Sequence, residues 1–257
     1  MARWLLSLSG LAVMAAAAPA HFTMLLPDKA SVKRGEEVVV TLQYGHPFEH
    51  ELTDADPPKK FVLVDPAGKV QDLTGKLEKV SLPGANGKPA AAFRVRFTPE
   101  MRGDHVFVAE GAPRWDPEGE EFEQDTAQVV VHVQAQKGWD AVPAGEGGLR
   151  LEPLTRPYGL LPGMVFQARA VQGGKPAARA GCEVERYNAA PPKELPPDEH
   201  VTRTMKTDPN GVVTCTLTEP GWWAIGVATE GGKREREGKT YPVRQRAILW
   251  VHVDEKR

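Results

Sequence analysis

After residue 20, no apolar run in this 257-residue chain approaches the roughly 20 residues that cross a bilayer as a helix. That excludes an internal helical anchor and leads to the expectation that the mature chain is soluble and meets its partners through water. Excess positive charge is also missing, since 32 Lys and Arg stand against 34 Asp and Glu for a formal net charge of −2. Nucleic-acid binding normally shows as a basic patch or a high pI, so no nucleic-acid partner is expected. Catalytic signatures are absent as well. There is no Gly-x-Ser-x-Gly elbow, no Gly-rich phosphate loop and no His-Glu-x-x-His zinc pattern. The paired acids Glu120-Glu121 and Asp54/Asp56 fall in charged loops, where solvation accounts for them, and the chain is not expected to be an enzyme.

Cysteine is limited to Cys182 and Cys215. In an oxidising compartment the two could form one bridge within the second half, or remain two buried thiols, because sequence does not fix the distance between their Cβ atoms. Helix signals are scarce. The 25 Gly and 23 Pro interrupt the chain at short intervals, and the segments between them are rich in Val, Phe and Ile.

What is present begins with a leader. Arg3 supplies a positive start, residues 5–18 an apolar core, and Ala18-Pro19-Ala20 a small-residue cleavage site. Residues 1–20 are therefore expected to be a signal peptide, leaving His21 first; a cut after Ala18 would leave Pro19 instead. The mature chain is therefore expected to be exported from the cytoplasm.

The remainder reads as strands and turns. In the first half strands are expected at 37–43, 60–64, 91–97, 105–109 and 127–133, and Phe93-Arg94-Val95-Arg96-Phe97 alternates as an antiparallel strand with one wet face does. Residues 136–148 carry Gly138, Pro143, Gly145, Gly147 and Gly148 and read as a linker. Strands resume at 165–171, 182–187, 212–217, 223–228 and 247–253, with turns at Gly173-Gly174 and Asp208-Pro209-Asn210-Gly211. The four prolines of residues 191–197 mark an exposed loop. The expected fold is all-β: an Ig-like β-sandwich over 21–135, the linker, and a second sandwich over 149–257.

A mature N-terminal His is a chelator by covalent geometry, because its α-amino nitrogen and imidazole Nδ1 close a ring on one ion. The two titrate near ~7.7 and ~6.5, so both become neutral donors at small proton cost near neutral pH. Gly45-His46-Pro47-Phe48-Glu49-His50-Glu51 adds two imidazoles and two carboxylates. A separation of four places His46 and His50 on one side of either a helix or a straight strand. His21, His46, Glu49 and His50 are the expected metal ligands, and their donors suit Ni²⁺, Co²⁺, Zn²⁺ or Cu²⁺. His105, His132 and His252 lie within expected strands and His200 beside the proline loop, where structural or surface roles suffice. Trp222-Trp223 and Trp250 are expected in packing rather than as a sugar platform.

Several segments together resemble a known family. Ala20-His21-Phe22, His46-Pro47-Phe48-Glu49, Gly138-Trp139-Asp140, Leu154-Thr155-Arg156-Pro157-Tyr158-Gly159 and Pro220-Gly221-Trp222-Trp223 are similar to the NikM-like bacterial periplasmic proteins, a domain of unknown function associated with nickel and cobalt transport. Thr23 departs from that pattern, where a glycine is expected. Gly174-Lys175-Pro176 and Lys206-Thr207-Asp208-Pro209-Asn210-Gly211 resemble the transthyretin-like, carboxypeptidase-regulatory sandwich, usually a scaffold. The resemblance implies capture of Ni²⁺ or Co²⁺, with His21, His46 and Glu49 as ligands and a membrane transporter component as partner. Two other functions fit the same residues: a copper carrier or oxidase holding Cu²⁺ in a histidine brace, and an adhesion or carbohydrate-binding module in which the histidines are incidental.

Overall fold

The computed structural model describes residues 21–141 and 148–256; the expected leader at 1–20 and residues 142–147 of the expected linker lie outside them. The described chain is almost entirely β. Its first half holds β1 (Phe22–Pro27), β2 (Ser31–Val32), β3 (Val38–His46), β4 (Glu51–Thr53), β5 (Lys60–Val64), β6 (Val70–Asp72), β7 (Glu78–Pro83), β8 (Pro89–Phe97), β9 (Gly103–Glu110), β10 (Arg114–Asp116) and β11 (Glu121–Val133). Its second half holds β12 (Leu149–Pro153), β13 (Met164–Gln172), β14 (Lys175–Pro176), β15 (Gly181–Arg186), a helical turn α1 (Asp198–Val201), β16 (Thr202–Lys206), β17 (Val212–Leu217), β18 (Gly221–Arg236) and β19 (Lys239–Val253). Among the described residues no helix is long and apolar enough to cross a membrane.

The strands form three sheets. A five-stranded sheet runs β1-β3-β8-β7 with β4 on β3, and a four-stranded sheet runs β12-β13-β14 with β17 on β13. Between them a ten-stranded sheet runs β16-β15-β18-β19-β11-β9-β5-β6, with β2 and β10 on β11. The halves on either side of residues 136–148 thus share one sheet, welded where β19 lies parallel to β11 from Phe122↔Val243 to Val129↔Trp250.

The sequence of β19 explains the weld. Ala247-Ile248-Leu249-Trp250-Val251 is apolar without a break, the mark of a strand buried on both faces. Ile248 and Trp250 enter the core shared with β1, β3 and β8, while Ala247, Leu249, Val251 and Val253 enter the core shared with β13 and β17. The neighbouring strand divides in the same way: Trp223 is buried in the second core and Trp222 packs against the first. Packing is the role expected for these tryptophans.

A third cluster joins Val62, Val64, Val106, Val108 and Val130 under Tyr158. The Tyr158 hydroxyl donates to Asp104 Oδ2 at 2.8 Å, and His132 Nδ1 lies 2.7 Å from Asp104 Oδ1. The Leu154–Gly159 motif is therefore a strap fastened across the sheet, and His132 is part of its anchor.

Strands 60–64 and 212–217 run as expected, and both turns and the exposed proline loop fall in place. β11, β18 and β19 run longer than expected because their extra residues are charged. Glu121, Glu123, Gln124 and Lys233–Arg236 are held chiefly by ladder pairing, while Phe122 and Asp125 are buried, and an apolar criterion stops short of stretches so rich in charge. Cys182 and Cys215 are buried free thiols in the second core, without a disulfide.

Candidate metal centre

The antiparallel register of β1 on β3 pairs Phe22 with Gly45 and Thr23 with Tyr44, which carries His21 abreast of His46. Their ring centroids are 4.0 Å apart with the planes inclined by 45°. Tyr44, two residues from His46 and on the same strand face, stacks on His21 at 5.4 Å, and the Arg114 guanidinium covers the tyrosine ring at 4.4 Å. Gly45 is required between them. It has φ +144°, and an added Cβ would stand 2.1 Å from the Glu51 carbonyl oxygen, where the chain returns into β4.

Electrostatics keep His21 in donor form. Burial, followed by the neighbouring His46, Arg114 and Arg246, pushes the His21 imidazole down to about 4, against the opposing pull of Asp116. His46 Nδ1 is buried with no hydrogen-bond partner among the described residues. A buried polar nitrogen without a partner is costly in a folded protein unless a ligand satisfies it. Burial pushes the Tyr44 phenol up to about 12, so it stays protonated near neutral pH.

Beneath the rings lies a buried polar floor. Arg246 donates to both oxygens of Asp125, at 2.6 and 2.8 Å, and Asp125 Oδ2 accepts the Thr23 hydroxyl at 2.7 Å and the Thr23 N–H at 3.3 Å. Trp250 Nε1 donates to the Thr23 carbonyl at 3.1 Å. Thr23 is thus the residue that fixes the chain two positions after His21.

Asp116, Glu121 and Glu123, on the β10–β11 hairpin, form the one group of three or more His, Cys, Asp or Glu among the described residues whose ligand atoms lie within 4.8 Å of one another. Arg244 approaches Glu121 and Glu123 at 3.9 and 4.0 Å, and Arg246 approaches Glu123 at 3.4 Å. Sequence reasoning assigned Glu120-Glu121 to a solvated loop. The alternation Glu121-Phe122-Glu123-Gln124-Asp125 was the signal available, because period two puts all three acids on one strand face.

Glu49 and His50 do not complete a group of three with the ring pair at that spacing. Residues 47–50 form the turn of the β3–β4 hairpin, with His46 paired to Glu51, so the chain reverses between the two histidines. Placing both on one side needs a helix or a straight strand, and neither exists here. His50 adopts φ +56°, and its Nδ1 lies 2.9 Å from the Asn188 carbonyl. Glu49 Oε2 is buried without a partner, near the buried Glu185. The second half clamps this turn: Asn188 donates from Nδ2 to the Phe48 carbonyl at 2.6 Å and from its backbone to the Pro47 carbonyl at 3.0 Å, and Glu185 Oε1 accepts the Phe48 N–H at 3.0 Å.

A family model described as a domain of unknown function, DUF4198, matches residues 18–231. The chain belongs to this family. The DUF4198 match includes His21, the β3–β4 hairpin, the acidic trio and the Asn188 clamp, and ends within β18. No curated protein matches the chain. Among solved structures it is similar to a Salmonella alpha-2-macroglobulin reacted with methylamine, at 16% identity and a TM-score of 0.27, covering 91% of this chain and 15% of that one. A DUF4785 family protein from Legionella pneumophila is 10% identical with a TM-score of 0.29, covering 79% of this chain and 51% of that one. A two-domain fibronectin type-III segment of chicken tenascin is 8% identical with a TM-score of 0.21, covering 88% and 98%. This DUF4198 chain thus spans about half or less of the length of the first two.

Proposed function

We propose that the chain, once cut after Ala20, captures a late first-row divalent metal ion in the periplasm, Ni²⁺ or Co²⁺, and passes it to a membrane transporter. The donors are the freed amine and imidazole of His21 and the imidazole of His46. The observation that carries this reading is the His21–His46 ring pair at 4.0 Å, with a buried His46 Nδ1 that no described residue satisfies. Two features support it further. His21 is held neutral well below neutral pH, so little proton competition opposes binding at that imidazole. The carboxylates of Asp116, Glu121, Glu123 and Asp125 outnumber the nearby guanidiniums of Arg114, Arg244 and Arg246, which offsets the repulsion that those cations would exert on a metal ion.

Isothermal titration of the exported chain with Ni²⁺, Co²⁺, Cu²⁺ and Zn²⁺ tests the proposal, with mass spectrometry fixing the first residue. Dissociation constants weaker than about millimolar for all four ions, equivalent to only ~4 kcal/mol, would remove it. So would affinities unchanged by His21→Ala.

A copper brace is the second reading, favoured by the fact that the register delivers a single further imidazole to the terminal residue while His50 is turned to the Asn188 carbonyl. Affinity for nitrogen donors rises toward copper in any case. Electron paramagnetic resonance of the copper-loaded chain, with an assay of peroxide-driven oxidation, separates a brace from nickel or cobalt capture.

A further inference from the structure

On its outer face the five-stranded sheet carries a groove of about 610 Å³ that the metal reading does not use. Thr41 and Arg94, cross-strand partners on β3 and β8, form part of its floor, and His50, Tyr187 and Trp222 form part of its walls. The outer face of such a sheet normally meets water. Here the second half leans over it with two aromatic rings and leaves a cleft of the size that holds small organic ligands.

Arg94 is the feature that selects a ligand. Its Nε is buried and has no hydrogen-bond partner among the described residues, and its cross-strand partner on β7, Glu78, forms no ion pair with it. Asp28 is the acid lining the groove; its Oδ1 is committed to the Val39 N–H at 2.9 Å, and it forms no ion pair with Arg94. A guanidinium presents parallel N–H donors that match the two oxygens of a carboxylate, and flat apolar surfaces stack on tyrosine and tryptophan. One unpaired guanidinium, with the carboxylates of Asp28 and its cross-strand partner Glu78 nearby, suits a monoanion better than a doubly charged phosphate.

We infer that this groove binds a small organic monocarboxylate with a flat apolar body, its carboxylate on Arg94 and its body between Tyr187 and Trp222. The site is independent of His21 and His46, and its ring wall assigns a role to His50 that the metal reading leaves open.

The probes are indole-3-acetate, its neutral counterpart indole-3-acetamide, and inorganic phosphate, titrated into the full exported chain by calorimetry and followed by amide NMR. Indole-3-acetate should bind with a dissociation constant below about millimolar, shifting the amides of Thr41, Gln43 and His50, and the acetamide should bind at least about tenfold more weakly. Arg94→Gln should abolish that preference for the acid, Trp222→Leu should weaken both indoles alike, and His46→Ala should leave all three probes unaffected. Equal binding of acid and amide, no shifts around the groove, or phosphate binding as tightly as indole-3-acetate would each overturn the inference. The acid–amide comparison on the unaltered chain decides the matter even where a substituted chain fails to fold.

Discussion

Replacing Asp125 by Asn tests the floor on which the candidate centre rests. Asp125 and Arg246 are 6% and 5% exposed, and the guanidinium donates two hydrogen bonds to the carboxylate. Breaking a buried ion pair by removing one partner costs about 3–5 kcal/mol, because the remaining charge is left without compensation. Glu123, 3.4 Å from Arg246, supplies part of that compensation, which places the expected loss near the lower end, about 3 kcal/mol. With a urea dependence of about 3 kcal/mol per molar for a chain of this size, the unfolding midpoint should fall by about 1 M. The same substitution weakens the acceptor for both the Thr23 hydroxyl and the Thr23 N–H, so the start of β1 loosens and His21 moves relative to His46. Metal affinity should therefore fall along with stability, although Asp125 is not a ligand. A paired change, Asp125→Leu with Arg246→Met, should recover most of the stability, since apolar replacement of both ions is often neutral. A midpoint shift below about 0.3 M for Asp125→Asn would refute the reasoning, because it would mean that the pair contributes no more than a surface salt bridge does.

His46→Ala should weaken Ni²⁺ binding by about tenfold or more, the order of one lost charge-assisted bond, while His50→Ala changes it less than about twofold; calorimetry at constant pH reads both. Gly45→Ala, which forces a Cβ against the Glu51 carbonyl at positive φ, should destabilise the chain by about 1–3 kcal/mol in urea and disturb metal binding as well. Burial pushes the Glu185 carboxyl from its ordinary 4.5 up to about 7, against the hydrogen bonds from Thr202 and Phe48. The folded chain therefore keeps a proton there that the unfolded chain releases. The contribution is fully present below pH 4.5 and declines until about pH 7, so Glu185→Gln should flatten the fall in stability across that window in urea titrations at stepped pH. Cys182 and Cys215, both buried, with the Cys215 thiol pushed up to about 11, should resist a thiol reagent in the native chain and react fully in denaturant.

The β character of the chain and most of its central strands were legible in the sequence, because period two, β-branched runs and Gly or Pro punctuation are local properties. Lys60–Val64 and Val212–Leu217 needed nothing more. The chelating character of a liberated His21 is likewise covalent and could be named without a fold. Three things required the tertiary structure. The shared sheet depends on a parallel pairing between residues more than a hundred positions apart, and the unbroken apolar stretch of β19 says only that both its faces are buried, not that they face different cores. The choice of His46 rather than His50 as the neighbour of His21 is made by the β1–β3 register and by the reversal at residues 47–50, and a spacing of four in sequence carries no such information. Arg246 and Asp125, lodged in stretches that look solvent-facing when read alone, are buried because each neutralises the other at a distance of 121 residues, a compensation that exists only once the strands have met.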